Sequence, residues 1–118
     1  MRNPHAAHID FSELSDLLGR VVPSNVDMVY ERKGSFLVAE WKRDGEKLSK
    51  GQEILLKAFA KVPGFTVLIV NGWTENGAMT VKTFWRVLPN GQCVRSGSGL
   101  QEFRDYIVEW FVVADGNY

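Results

Sequence analysis

Asn25-Val26-Asp27-Met28-Val29-Tyr30-Glu31-Arg32-Lys33-Gly34-Ser35-Phe36-Leu37-Val38-Ala39-Glu40-Trp41-Lys42 is the stretch whose reading decides the fold. Two apolar runs flank Arg32-Lys33-Gly34-Ser35, which predicts a hairpin with strands over residues 26–31 and 36–42. Successive side chains on a strand point to opposite faces. Glu40 and Lys42 therefore share one face, and Trp41 joins Leu37 and Ala39 on the other, where its role is packing. Closing the hairpin brings Asp27 alongside Glu40, so that two carboxylates and an ammonium converge at one end of a sheet.

Downstream, Arg43-Asp44-Gly45-Glu46-Lys47 reads as a turn, and Ser49-Lys50-Gly51-Gln52 fits a capping box that opens a helix. Ile54, Leu55, Ala58 and Phe59 form its apolar side, Lys50, Glu53, Lys57 and Lys61 its polar side, and Pro63-Gly64 its end. Phe65-Thr66-Val67-Leu68-Ile69-Val70 is apolar almost without a break, as a strand covered on both faces should be. Strand, helix and strand in this order predict a parallel pair. Asn71-Gly72, Asn76-Gly77 and Pro89-Asn90-Gly91-Gln92 are turn signals around a fourth strand over residues 79–87. Cys93-Val94-Arg95 is a short edge strand, and Ser96-Gly97-Ser98-Gly99 a flexible loop. Leu100, Phe103, Tyr106, Ile107, Trp110 and Phe111 then have the spacing of a helix over residues 100–111.

Upstream, Phe11, Leu14, Leu17 and Leu18 are spaced three and four apart, which predicts a short amphipathic helix ending near Gly19, with a capping signal in Asp10-Phe11-Ser12-Glu13. The first ten residues, which hold His5 and His8, read as a frayed start that offers little for a histidine-based site. The expected class is α/β, a mixed sheet of four to five strands flanked by helices in the order αββαββα.

With 118 residues, 45% of them hydrophobic, the chain can bury a core as one domain without staples. A single cysteine, Cys93, excludes an internal disulfide and suits a reducing compartment. No apolar run approaches the roughly 18–20 residues of a membrane span, and no leader pattern opens the chain, so a soluble cytoplasmic protein with no membrane partner is expected. Net charge is zero, yet residues 31–61 hold eight basic and five acidic side chains, a local excess of +3. Such a patch suits a phosphate backbone, although surface charge of this size is also common where nothing binds.

With Asp27, Glu40-Trp41-Lys42 and Gln52 placed on strand, strand and helix, the chain resembles the VRR-NUC family of the PD-(D/E)XK nuclease superfamily. The likeness covers about residues 20 to 72: Val22-Pro23-Ser24-Asn25-Val26-Asp27-Met28, Phe36-Leu37-Val38-Ala39-Glu40-Trp41-Lys42, Leu48-Ser49-Lys50-Gly51-Gln52 and the run from Phe65. Glu-x-Lys alone is a weak pattern; its combination with the preceding Asp and the following Ser-x-x-Gln is stronger. Val26 stands where the family usually has proline, a position that shapes the strand and ligates nothing. The likeness fades after Gly72.

The resemblance implies a restriction-endonuclease-like core and a Mg2+-dependent DNA endonuclease, with Mn2+ able to substitute and no organic cofactor. Standalone members look like small homodimeric nucleases, often carried by phages, that cut branched DNA such as four-way (Holliday) junctions. Asp27, Glu40 and the backbone carbonyl of Trp41 would hold the metal, since magnesium needs only one or two carboxylates beside waters and phosphate. Lys42 would orient the attacking water or stabilise the phosphorane, and Gln52 would assist while capping its helix. Glu13 is a further candidate ligand, although it also completes a capping box with Asp10. Arg43, Lys47, Lys50 and Lys57 would grip DNA phosphates. The plainer alternatives are a cross-strand ion pair between Asp27 and Lys42, a purely capping Gln52, lysines on a solvated face, and Trp73, Trp85 and Trp110 in core or interface. The apolar end of the last helix, from Trp110 to Val113, exceeds one core-facing stripe and offers a surface for a second subunit.

Overall fold

The hairpin that decides the fold forms as read: β1 (Met28–Arg32) pairs antiparallel with β2 (Ser35–Lys42), Met28 opposite Ala39 and Arg32 opposite Ser35. Lys33 and Gly34 make the turn, both at positive φ (50° and 83°), the backbone a two-residue hairpin with right-twisted strands requires. A computed structural model describes residues 11–14, 16–19 and 23–116. The expected frayed start with His5 and His8, the Asp10 cap and residues 20–22 of the matching stretch lie outside them.

From β2 the chain crosses through α1 (Lys50–Ala60) to β3 (Phe65–Glu75), which lies parallel to β2 with Glu40 opposite Ile69 and Lys42 opposite Asn71. β4 (Ala78–Val87) and β5 (Cys93–Ser98) continue antiparallel, and α2 (Gly99–Gly116) closes the element order. The result is a five-stranded mixed sheet in sequential order, with a helix on each face.

Alternation along the strands divides the core in two. Leu37, Ala39, Leu68, Val70, Val81 and Phe84 are buried with Phe103 of α2, and Trp41 is edge-on to Phe103 with ring centroids 5.6 Å apart. On the other face Val67 and Val87 are buried with Leu56 and Ala60 of α1, bordered by Phe59 and Phe65, whose rings stack at 5.3 Å. Each fully buried large side chain contributes about 1.5–3 kcal/mol, so these two layers supply most of the drive to fold. The far end of α2 is fastened to the first hairpin: Arg32 Nε donates to Asp115 Oδ1 (2.6 Å) and Lys33 Nζ to the Asp115 carbonyl (2.7 Å). Arg32 also lies over the Phe111 ring, 5.1 Å from its centroid.

Four expectations are corrected. The first helix is a single 3-10 turn, Ser12–Leu14, and Leu14, Leu17 and Leu18 are exposed rather than forming a buried stripe. Asn71-Gly72 does not turn; β3 runs through it to Glu75 because β4 offers a partner along the whole length, with a bulge at that point. Ser96, Gly97 and Ser98 are strand, not loop, since Ser98 pairs with Thr83 and Gly97 with Phe84. The last helix starts at Gly99 and runs past Phe111 to Gly116, its end held by the Asp115 contacts.

Candidate functional site

Continuing the β1–β2 register one step beyond Met28 and Ala39 places Asp27 opposite Glu40. Asp27, exposed and one residue before β1, accepts a hydrogen bond on its carboxylate from the Trp41 N–H (2.8 Å to Oδ2). An extended residue sends its N–H and C=O to the same edge of the strand, so the Trp41 carbonyl also faces the Asp27 side, beyond the end of the β1 ladder.

Glu40 is 4% exposed, the buried charged side chain of the described core. α1 explains how it is tolerated. Ser49 caps the helix: Gln52 N–H donates to Ser49 Oγ and Ser49 N–H donates to Gln52 Oε1, both at 3.1 Å. With its oxygen thus engaged, the Gln52 amide nitrogen is left to donate to Glu40 Oε1 at 2.8 Å. One side chain therefore closes the helix cap with its oxygen and holds Glu40 with its nitrogen.

Burial, and then the Asp27 charge and a hydrogen bond shared with it, push the Glu40 carboxyl up to about 7, against the opposing pull of the Lys42 ammonium. Two carboxyls forced together hold a proton or require a cation. Lys42 emerges two residues on, its own carbonyl accepting from Asn71 Nδ2 (3.0 Å), which fixes the end of β2 against β3.

Two clefts open at the end of β2, and both are bordered by Arg43 and Glu46 of the following loop, where the Arg43 N–H donates to Glu46 Oε1 (2.7 Å). One, of about 300 Å3, is lined by Lys42, Asn71, Leu48 and Trp85. The other, of about 510 Å3, reaches Asp27 and is walled by Met28, Trp41, Trp73 and Met79. Arg43 borders both. Lys47 and Lys50 are exposed on the loop and at the start of α1. Lys57 is not at the pair: it bonds Glu53 Oε1 (3.0 Å) and its stem runs along Gly91, beside a separate cleft that includes Cys93.

Glu13 sits in the 3-10 turn and does not join the carboxylates; among the described residues no three Asp, Glu, His or Cys side chains gather as a metal-holding group. Of the apolar end from Trp110 to Val113, Trp110 is half-buried against Tyr30 (6.2 Å), while Phe111, Val112 and Val113 are exposed together with Val108.

Sequence reasoning missed Asn71, Glu46 and Lys82. Lys82 is the extra residue at the bulge and bonds both Asp44 carboxylate oxygens (3.2 and 3.0 Å), holding that carboxyl below its usual range together with Asn71. An Asn before Gly is a turn signal on its face, and nothing local marks it as a strand residue. Among the described residues no helix is long and apolar enough to cross a membrane. Comparisons with protein-family models, with curated proteins and with solved structures give no match.

Proposed function

We propose that this chain is a metal-dependent DNA endonuclease with a PD-(D/E)XK-type core of the VRR-NUC kind. The observation that carries the reading is the Asp27–Glu40 pair at the end of a parallel β2–α1–β3 unit, with Gln52 on Glu40 and Lys42 two residues along the same strand. A buried carboxyl beside a second one, with a raised pKa, marks a place built for something other than packing.

The donor set fits magnesium, which takes hard oxygen ligands and keeps several waters. Asp27, Glu40 and the Trp41 carbonyl would hold it. When bound, the cation supplies charge neutralisation at a phosphate and a more acidic water. Asp27, the exposed member, meets the ligand; Glu40 stays oriented by Gln52. Lys42 provides a compact positive charge for the anionic phosphorane, a task that suits an ammonium better than a planar fork. Arg43 at the cleft rims, with Lys47 and Lys50, positions the backbone without reading sequence. A homodimer through Val108, Val112 and Val113 of α2 would present two such sites to a branched substrate such as a four-way junction.

A binding-only module of the same fold is the second reading, favoured by the lack of a third acidic group beside the pair among the described residues. Incubating four-way junction, flap, single strand and linear duplex with Mg2+ and resolving products on a denaturing gel separates the two. Cleavage of the junction, lost by at least about a hundredfold in Asp27→Ala and Lys42→Ala proteins of native circular dichroism, is the expected result. Junction binding with no product under Mg2+ or Mn2+ would establish the module reading.

A further inference from the structure

The β2–β3 ladder ends at Lys42 and Asn71, and the β4–β5 ladder begins at Thr83 and Ser98, so residues 72–81 pair only with each other as a hairpin; Gly72 and Val81 at its base are buried, and residues 73–80 project beyond them. Asn76 and Gly77 turn it, at φ of 51° and 80°. A two-stranded ribbon has no core of its own in which to bury a large aromatic side chain. Trp73 nevertheless sits there, half-buried and opposite Thr80, and makes no ring–ring contact among the described residues. Trp73 is among the residues that line the 510 Å3 cleft, which also reaches Asp27.

The cleft has a consistent chemistry. Met28, Met79 and Trp73 give flat or deformable apolar walls, while Arg43 and Thr74 place a cation and a hydroxyl at its rim. Gly72, also on its lining, lets the Trp41 ring and the hairpin backbone pack closely there: a Cβ would lie 2.4 Å from the Thr80 carbonyl oxygen and 2.9 Å from the Trp41 ring. A volume in the range of about 300–1,000 Å3 suits one small organic ligand and excludes a duplex. An aromatic face beside a cation, next to a carboxylate that would meet a phosphate, matches one nucleotide whose base is out of its stack.

We infer that the cleft between Asp27 and the projecting hairpin receives an unpaired nucleobase adjoining the phosphodiester held at Asp27 and Glu40, stacked on Trp73. The inference rests on the nuclease reading and deepens it, because it makes the substrate DNA with unstacked bases beside the cut. Trp41, which borders the same cleft, is committed to Phe103 and Gly72 and serves as a floor rather than a stacking partner.

The test uses two labelled probes of equal length, a blunt duplex and the same duplex carrying a single-stranded thymidine branch, bound in Ca2+ and followed by anisotropy and tryptophan quenching. The full chain should prefer the branched probe. Trp73→Ala should weaken binding of that probe about tenfold and abolish its quenching, leave the blunt duplex unchanged, and Trp73→Phe should restore most of the difference. Equal losses on both probes, or no loss on either, overturn the inference, with native circular dichroism of both variants required for the comparison. Cleavage in Mg2+ is scored separately. Selective stacking without any cleavage by the natural chain supports the base site and overturns the nuclease reading; cleavage that continues with no Trp73 selectivity does the reverse.

Discussion

One strand, β2, runs through two different environments. Its odd positions, Leu37, Ala39 and Trp41, enter a hydrocarbon layer under α2, where Phe84 and Phe103 meet edge-on at 5.3 Å. Its even positions begin in the same manner with Val38, then carry Glu40 and Lys42 out from beneath the start of α1, where the helix presents Gln52 instead of carbon. Burial on the first face yields stability. On the second it raises the free energy of a charge and makes the carboxyl responsive to protons and cations. The lesson is that a period-2 strand can separate folding from chemistry by 180° at consecutive residues.

The largest expected effect breaks the stable face. Phe84→Ala should lose about 3–5 kcal/mol in urea unfolding, since Phe103 and Tyr106 both lean on that ring and the cavity cannot close. Such a loss is a large part of the roughly 5–15 kcal/mol a domain possesses.

The second sharpens the chemical face through pH. A carboxyl with folded pKa about 7 against an ordinary value of 4.5 is protonated longer in the folded chain than in the unfolded one. Stability should therefore be highest near pH 4.5 and fall as pH rises to about 7, by roughly 1–3 kcal/mol, then level. Glu40→Gln should flatten this profile in urea titrations taken across that window, and Asp27→Asn should narrow it by removing the facing charge. Millimolar Mg2+ at pH 8 should restore part of the loss in the natural chain and none in Glu40→Gln.

A smaller effect tests how closely the two faces meet at the sheet end. Gly72→Ala should cost about 1–3 kcal/mol, because the added methyl must displace the Trp41 ring or the Thr80 backbone. Next, Ser49→Ala should cost about 1 kcal/mol as a lost cap in urea unfolding while leaving the pH profile that Glu40 produces in place, because the residue 49 N–H still donates to Gln52 Oε1. An Asp44→Ala chain should unfold within about 1 kcal/mol of the natural one, as its pair with Lys82 is exposed on both sides.

Much of this was legible because it is local. Alternation in residues 25–42 gives the hairpin and the shared face of Glu40 and Lys42; Ser49-x-x-Gln52 gives the helix start; an unbroken apolar run from Phe65 gives a doubly covered strand. The misreadings share a cause. Asn71-Gly72 and Ser96-Gly97-Ser98 have turn and loop composition, but each found a partner strand whose ladder outweighed it. At Gly97 the missing side chain makes room for the Phe84 ring, 2.6 Å from where a Cβ would stand. Leu14, Leu17 and Leu18 have helical spacing without a surface to cover, and propensity alone sustains only one 3-10 turn.

By itself the sequence determined the class of fold, the parallel unit built on α1, and which residues of β2 face together, because strand alternation and capping act over a few residues. Tertiary structure alone decided that Glu40 is buried against Asp27, that Gln52 reaches it from the helix cap, and that Trp73 and Asp27 line one cleft. Those are distances between segments far apart in the chain, set by ladder lengths and by the bulge at Gly72, and no local pattern encodes them.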